Sequence, residues 1–272
     1  MVPVYVINLK RSVERRAWME KELAGAGIEA EFVNAVDGRR FGPTCAASLA
    51  KRNRVRAISL AEAACALSHR KIWRKFLRSG APFAVVLEDD VLLGRGVAEV
   101  LESDWTRWRF DVVKLETRLE RGWLSPSAGS VHGHPERSVR RLYSGNLGTA
   151  AYVVSAPGAR RLLRLTREFA EPLDVALFSE RAVRADALAI FQLQPAIAVQ
   201  EELLARKTMI DSTLGSAIGD ERGDIRVKRG LSTLARIDRE IRRPLSHLAG
   251  AVGRAAYRLR NPDREWRVIE FE

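Results

Sequence analysis

A chain of 272 residues, with 46% hydrophobic and 29% charged residues, is long enough for one large globular domain, and this balance excludes a disordered or a fibrous protein. Lys and Arg number 46 against 34 Asp and Glu, so the formal net charge is +12 and the expected partners carry negative charge. Ten of the basic residues but only two acidic residues lie in 226–260, so this stretch carries a net +8.

The first strand of the predicted fold is Val4–Leu9, a compact β-branched and aromatic run of the kind that forms buried parallel strands. Ser12 is a candidate N-cap for a helix that extends to Ala24. A second strand, Ala30–Val36, precedes a turn at Asp37. The chain therefore begins with a βαβ unit.

A capping-box pattern at Ser59 and Glu62 predicts a second helix that extends to about Arg78. An almost wholly apolar strand, Phe83–Leu87, follows the break at Gly80. Because a strand of this composition has both faces buried, we expect it near the centre of the sheet.

Further along the chain, strands are predicted at Asp111–Leu115 and Thr149–Ser155, with a helix from Gly158 to about Arg167. The alternation of strands and helices predicts an α/β domain, with a mixed, mostly parallel sheet covered by helices on both faces. Residues 119–146 indicate a long loop with one hairpin. We expect a catalytic domain over residues 1–218 and a basic C-terminal tail over residues 219–272.

Neither the two cysteines, Cys45 and Cys65, nor the first residues indicate secretion, so we expect reduced thiols in the cytoplasm. No window approaches the roughly 20 apolar residues that a membrane-spanning helix needs. The expected protein is soluble, or bound peripherally to the inner face of the cytoplasmic membrane.

Three consecutive acids, Glu88, Asp89 and Asp90, directly follow the apolar strand. In an open α/β sheet, ligands bind beyond the carboxyl ends of the strands. Adjacent carboxylates repel one another, so a site that keeps all three ionised requires a cation or basic side chains nearby. A hard divalent ion shared with phosphate oxygens meets that need. The alternative is an acidic turn that caps the next segment.

A second polar group follows the first strand, where Asn8 and Arg11 precede a helix that carries Arg15 and Arg16. The N-terminus of a helix attracts phosphate, so this arrangement suits a nucleotide. The alternative for the two helical arginines is an ordinary solvated helix face.

In combination, these segments resemble glycosyltransferase family 25, the bacterial lipooligosaccharide galactosyltransferase group related to collagen galactosyltransferases. The resemblance covers roughly residues 3–215, with matching order and spacing. The segments that carry it are 6–16, 34–38, 60–69, 82–91, 114–116, 148–159 and 172–174.

The resemblance implies a GT-A-like fold, a UDP-sugar donor, commonly UDP-galactose, an inverting transfer, and Mn²⁺ or Mg²⁺ held by the acidic motif. It makes Asp90 the principal metal ligand, with Glu88 or Asp89 contacting the ribose or a metal-bound water. Ser68 and His69 would face the donor. The other donor-binding residues that it implies lie near the first two strands: Asn8, Leu9, Arg11, Arg15 and Asp37.

An inverting transfer needs a general base near the acceptor hydroxyl, and a carboxylate is the usual choice. Asp174 is the first candidate and Glu116 the second. The alternatives are that Asp174 caps the helix that follows it, and that Glu116 pairs with Lys114 or Arg118.

The basic tail has apolar residues at spacings of three and four between Leu231 and Leu259, with arginines between them. This pattern indicates a basic amphipathic helix pair interrupted near Pro244. Such helices bind anionic lipid with roughly 1 kcal/mol per basic residue near the surface. The alternative is a helix packed on the domain with its arginines in water.

The function predicted from the sequence is transfer of a hexose, with galactose favoured by the resemblance, from a UDP-sugar to a lipooligosaccharide or other cell-surface glycan. One alternative is a Mg²⁺-dependent phosphoesterase or nucleotide hydrolase, which would need a second cluster of metal ligands. The other is a basic protein that binds nucleic acid through the tail, although nucleic acid is not an expected partner.

Overall fold

The computed structural model describes residues 2–42, 58–131, 133–168, 171–208 and 251–272. The strands in these residues are β1 Val4–Asn8, β2 Glu31–Asn34, β3 Phe83–Glu88, β4 Val91–Leu93, β5 Val112–Lys114, β6 Glu116–Thr117, β7 Arg121–Leu124, β8 Ser130–Val131, β9 His134–Arg141, β10 Ala151–Ser155, β11 Ile190–Gln194, β12 Ala198–Gln200 and β13 Glu265–Val268. The helices are α1 Val13–Gly25, α2 Leu60–Ser79, α3 Val97–Leu101, α4 Ala156–Leu165, α5 Leu173–Phe178, α6 Glu180–Arg184 and α7 Glu201–Thr208, and residues 251–260 are also helical.

The main sheet has eight strands in the order β2-β1-β3-β10-β5-β11-β9-β8. Strands β1, β2 and β3 are mutually parallel and β11 is parallel to β5, whereas β10 lies antiparallel between β3 and β5. Only β9 and β10 run against the direction shared by the other six strands. A three-stranded sheet, β4-β12-β6, and the pair β13-β7 complete the described strands.

Both faces of the main sheet are buried under helices, as predicted. On one face, Val86 of β3 packs in a cluster with Trp73 and Phe76 of α2. On the other, Leu87 of β3 packs in a cluster with Met19 of α1. Burying a side chain of the size of valine or leucine contributes about 1.5–3 kcal/mol, so the continuous apolar run of β3 stabilises both layers. The α/β class and the mixed, mostly parallel sheet are confirmed.

The capping box that predicts α2 is present. The Ser59 hydroxyl accepts from the Glu62 amide at 3.1 Å, and the Glu62 carboxylate accepts from the Ser59 amide at 2.9 Å. The helix ends at Gly80, whose φ of 75° is the left-handed conformation that glycine adopts readily. For α1 the predicted cap was wrong: Ser12 occupies the N-cap position, but in the described structure its side chain makes no capping hydrogen bond.

The hairpin predicted within residues 119–146 is present as the antiparallel pair β8–β9, but the rest of the predicted loop was wrong, because the segment also contains β7 and β9 pairs with β11 in the main sheet. Strand β9 has a charged sequence, but one of its arginines is buried. The Arg137 guanidinium is almost fully buried and donates to the backbone carbonyls of Arg95, Pro195 and Glu272. This side chain joins three distant segments of the chain.

The C-terminal residues pack onto the domain. Strand β13 pairs antiparallel with β7, and the Trp266 and Trp123 rings lie 5.2 Å apart. Ile269, which follows β13, is 2% exposed and belongs to the core. The predicted tail of residues 219–272 is therefore not an appendage over its last residues. Most of the predicted basic helix pair lies outside the described residues.

Candidate active site

The acidic triplet lies at the carboxyl end of β3, beside the end of β1. Glu88 is the last residue of the strand, and Asp89 and Asp90 form the turn into β4. Asp89 and Asp90 are buried, with 5% and 9% of their surface exposed, while Glu88 is partly exposed. The triplet therefore lines the edge of the sheet at which the sequence predicts a ligand.

Arg15, in the first turns of α1, joins two of these carboxylates. Its guanidinium donates to Asp89 at 2.7 Å and to Asp90 at 2.6 Å. The Asn8 side-chain amide donates to the second oxygen of Asp89, also at 2.7 Å. Part of the compensating charge that the triplet requires is thus supplied by a basic side chain, and Arg15 is not an ordinary solvated residue. Removing one partner from such a buried ion pair costs about 3–5 kcal/mol.

Of the three carboxylates, Asp90 has its negative charge least balanced by hydrogen-bond donors. Among the described residues, its buried Oδ1 atom has no hydrogen-bond partner, whereas Oδ2 accepts from Arg15 and, at 3.5 Å, from Gln200. Burial raises the pKa of Asp90 to about 6, against the opposing charge of Arg15 and with the help of Glu88 and Asp89. A buried carboxylate oxygen without a donor is a feature that a cation would satisfy.

Glu88 is held by two neighbouring side chains. Thr149 donates to its Oε1 atom at 2.7 Å, and His69 Nε2 lies 3.3 Å from the same oxygen. Burial alone would raise the pKa of Glu88, but the interactions with His69, the hydrogen bond from Thr149 and the charge of Arg15 outweigh it, so the pKa is lowered. Glu88 therefore carries a negative charge at neutral pH.

His69 is fully buried and reaches the site through Glu88. Its Nδ1 atom lies 2.9 Å from the Tyr152 hydroxyl, which also accepts from Trp73 Nε1 at 2.9 Å. If the Tyr152 hydroxyl donates to Nδ1, a neutral imidazole carries its proton on Nε2, toward Glu88. His69 was predicted to face the donor. Because its side chain is buried, it could influence the donor only through its contact with Glu88.

The remaining donor-binding candidates surround the end of β1. Arg11 forms an ion pair with Asp37 at 3.0 Å, and this hydrogen bond lowers the pKa of Asp37. The Ser68 hydroxyl accepts from the Val36 amide at 2.8 Å and donates to a carbonyl of its own helix, so it anchors the segment before Asp37. Leu9 follows β1 and is partly exposed.

The two candidate bases differ sharply in their environment. Glu116 is 2% exposed, lies 3.4 Å from the Lys114 ammonium and accepts from the Ala150 amide at 2.9 Å. Burial raises the pKa of Glu116 to about 7, against the charge of Lys114. The Lys114 ammonium also donates to the carbonyls of Asn146, Leu147 and Gly148. Glu116 thus pairs with Lys114, as the alternative for this residue states.

Asp174 lies in the first turn of α5 and is partly exposed. Its Oδ1 atom accepts from the Val175 amide at 2.9 Å. Its charge raises the pKa of both Lys114 and Cys65, so Asp174 lies near these two residues. Its partly exposed carboxylate is more accessible to an acceptor hydroxyl than the buried carboxylate of Glu116.

The family model that matches this chain is glycosyltransferase family 25 (LPS biosynthesis protein), over residues 1–177. The chain belongs to glycosyltransferase family 25. This glycosyltransferase is 33% identical to the lacto-N-neotetraose biosynthesis glycosyltransferase LgtB of Neisseria meningitidis serogroup B, across 80% of the chain and 82% of the relative. It is 26% identical to the lipooligosaccharide biosynthesis protein lic2B of Haemophilus influenzae, across 85% of the chain and 88% of the relative.

Solved structures resemble this glycosyltransferase more remotely. One is a glycosyltransferase involved in glycosylation of the major capsid of PBCV-1, with 10% identity and a TM-score of 0.38 across 77% of the chain and 99% of that structure. Another is A197 from STIV, with 13% identity and a TM-score of 0.37 across 71% and 84%. Likenesses of this size do not bear on whether the fold is GT-A-like, which stays a prediction.

Family membership favours a transferase over the two alternatives, a phosphoesterase and a nucleic-acid-binding protein. The matched residues of the family 25 enzyme include the triplet, Arg15 and Asp174. Gln200, which contacts Asp90, lies beyond the match. Thr149 contacts Glu88 and Tyr152 contacts His69, although no pattern in the sequence predicts a role for either residue. Within the described residues, no helix is long and apolar enough to cross a membrane.

Proposed function

We propose that this enzyme transfers a hexose, galactose in the first instance, from a UDP-sugar to a lipooligosaccharide or related cell-surface glycan, with inversion at the anomeric carbon. The names of the relatives, a lacto-N-neotetraose biosynthesis glycosyltransferase and a lipooligosaccharide biosynthesis protein, support the acceptor class. The observation that carries the proposal is the acidic triplet at the end of β3, in which one buried oxygen of Asp90 has no hydrogen-bond partner among the residues that the structure describes.

In this proposal, Asp90 and Glu88 hold Mn²⁺ or Mg²⁺. The donor set fits, because both ions prefer oxygen ligands and usually keep other positions for water and substrate phosphates. When bound, such an ion neutralises the charge that develops on the departing nucleoside diphosphate. Arg15 fixes the orientation of Asp89 and Asp90 from α1, and His69 and Thr149 fix that of Glu88.

The nucleoside portion of the donor is assigned to the end of β1. Asn8 orients Asp89 through its side-chain hydrogen bond, and the ribose contact is assigned to Asp89 or Glu88. Leu9 and the Arg11–Asp37 ion pair border the same place. Asp174 is the proposed general base, because its carboxylate is partly exposed, whereas the buried Glu116 carboxylate accepts from the Ala150 amide before β10.

Removing one charge from the triplet tests the donor site. We expect UDP with Mn²⁺ to raise the thermal unfolding midpoint of the wild type, and EDTA to abolish the rise, since a ligand stabilises the state it binds. Asp90→Asn should lose both the UDP-dependent rise and transfer from UDP-galactose to a lipooligosaccharide acceptor. If UDP with Mn²⁺ did not change the thermal unfolding midpoint of the wild type, the proposal would be wrong.

Asp263→Asn is the matched control, because Asp263 is exposed on the C-terminal segment and the substitution has the same chemistry. It should retain the UDP-dependent rise and the transfer rate of the wild type. A panel of UDP-sugars with the same acceptor separates galactose from other hexoses. The configuration of the product, determined by NMR, tests inversion.

A further inference from the structure

A cysteine, a histidine and a glutamate converge beside the acidic triplet. Cys65 and His69 lie one turn apart on α2, so their side chains share one face of the helix. Glu88 faces them from the end of β3. One ligand atom from each residue, a sulfur, a nitrogen and an oxygen, lies within 4.8 Å of the other two.

One of the three separations matches that between two ligands of a small tetrahedral cation. Zinc bonds nitrogen and oxygen ligands at about 2.0–2.1 Å, so two such ligands on a tetrahedral ion lie roughly 3.3 Å apart. His69 Nε2 and Glu88 Oε1 are 3.3 Å apart. Cys65 and Glu88 are both partly exposed, so a cation can enter from solvent.

Partners outside the cluster hold two of the three residues in place. Tyr152 lies 2.9 Å from the far nitrogen of His69, and Thr149 donates to Glu88 at 2.7 Å. Contacts of this kind fix the ring orientation and the carboxylate of metal ligands, and their loss commonly weakens metal affinity about 10–100-fold. Glu88 belongs both to the acidic triplet and to this cluster. The triplet offers only oxygen ligands, whereas the cluster also offers a sulfur and a nitrogen.

We propose that Cys65, His69 and Glu88 form a site for a borderline divalent cation such as Zn²⁺, with solvent as the fourth ligand. This site shares Glu88 with the all-oxygen site assigned to Asp90 and Glu88 but differs from it in its sulfur and nitrogen ligands. Thiolate and imidazole ligands favour zinc over magnesium or manganese. The proposal stands on side-chain geometry and does not depend on the donor or acceptor of the transferase.

Binding displaces one proton from the protein. Burial and the Glu88 and Asp174 carboxylates raise the pKa of the Cys65 thiol well above its ordinary value, so the free protein holds a thiol. Forming the sulfur–metal bond releases that proton to solvent. Coordination through His69 Nε2 would require that nitrogen to carry no proton, with Nδ1 facing the Tyr152 hydroxyl.

Cobalt titration of the full-length protein tests the site, because tetrahedral Co²⁺ bound to a thiolate gives a charge-transfer absorption band that Zn²⁺ abolishes on displacing it. We expect this band in the wild type. Cys65→Ser should remove the band and weaken Co²⁺ binding by about tenfold or more. Cys45→Ser is the matched control, since it leaves Cys65 as the only thiol, and it should keep the band.

A second measurement needs no variant and so does not depend on how Cys65→Ser folds. Alkylation of each cysteine by iodoacetamide is followed by peptide mass spectrometry, with and without Zn²⁺. Zinc should slow alkylation of Cys65 at least tenfold more than that of Cys45. Absence of the cobalt band in the wild type, its persistence in Cys65→Ser, or equal alkylation of Cys65 with and without zinc would overturn the proposal.

Discussion

Glu88, Asp89 and Asp90 are neighbours in the chain but differ in what compensates each carboxylate. Hydrogen bonds from His69 and Thr149 lower the pKa of Glu88 despite its burial. Burial raises the pKa of Asp89 and of Asp90, the latter to about 6. Asp90 therefore gains most from a cation, since binding would favour its charged form where Arg15 alone does not.

Substitution of the two candidate bases should affect different properties of the enzyme, the catalytic rate for Asp174 and the stability of the fold for Glu116. Asp174→Asn should lower kcat by about 10²–10⁴-fold, the usual contribution of a general base, and leave UDP binding and the free energy of unfolding unchanged. Glu116→Gln should instead lower the free energy of unfolding by about 1–3 kcal/mol, because the Lys114 ammonium loses the nearby carboxylate and keeps only its three backbone carbonyls. Steady-state kinetics and urea unfolding of both variants measure these effects. Wild-type kcat in Asp174→Asn would remove that residue from the mechanism.

At the scale of elements, the start of β10 is fixed by Gly148. Its φ is +99°, and a Cβ added there would lie 2.7 Å from Glu116 Oε2. Gly148→Ala should therefore lower the free energy of unfolding by about 1–3 kcal/mol through backbone strain, with a further loss from displacing Glu116. Denaturant unfolding measures both contributions together.

Gly27→Ala separates the two contributions. Gly27 has a φ of +68°, but a Cβ there would meet no atom within 4 Å, so this variant reports the backbone strain alone. Gly148→Ala should be the less stable of the two and should also bind UDP more weakly, since Glu116 and the backbone before β10 border the site. Equal destabilisation by both substitutions would show that the contact with Glu116 contributes nothing.

Elements specified by local sequence were predictable, and those specified by distant contacts were not. The start of α2 follows from Ser59 and Glu62, which bond each other within one turn, and β3 follows from a run that is apolar on both faces. Strand β9 was missed because its buried Arg137 is satisfied by carbonyls far away in the chain. No local pattern indicates that an arginine will meet such partners.

In the candidate site, too, the features set by local sequence were predictable and those set by distant contacts were not. The triplet was found because three acids directly follow an apolar strand. The contact of Thr149 with Glu88 was missed because it depends on β10 running antiparallel to β3, which places the beginning of β10 beside the end of β3. The direction of a strand within a sheet is set by the connections and packing of the whole domain, so composition alone does not reveal it.

At the scale of the whole molecule, the basic segment of residues 226–260 is flanked by two parts of the chain that meet at one edge of the domain. The Lys207 ammonium, near the end of α7, donates to the Leu119 carbonyl at 2.9 Å. The Ile269 amide, after β13, donates to the Glu120 carbonyl at 3.0 Å. Deleting everything after residue 219 would therefore also remove β13 and the buried Ile269, so truncation cannot test the basic segment separately.

Charge substitution tests the proposed attachment of this segment to an anionic membrane without removing β13. Replacing Arg236, Arg239, Arg242 and Arg243 by Gln should reduce sedimentation with phosphatidylserine-containing liposomes, because each basic residue near such a surface contributes about 1 kcal/mol. The effect should diminish as salt increases, since the attraction is screened within a Debye length. UDP-dependent thermal stabilisation should be unchanged.

The matched control removes the same charge from elsewhere on the surface. Four exposed arginines on α2 and α4 serve for this: Arg74, Arg78, Arg160 and Arg164. Their replacement by Gln gives the same net charge, so a difference between the two variants reports the position of the charge and not its total. Equal sedimentation of both variants would refute membrane attachment through this segment, and the arginines of residues 226–260 would then be no more than a solvated surface.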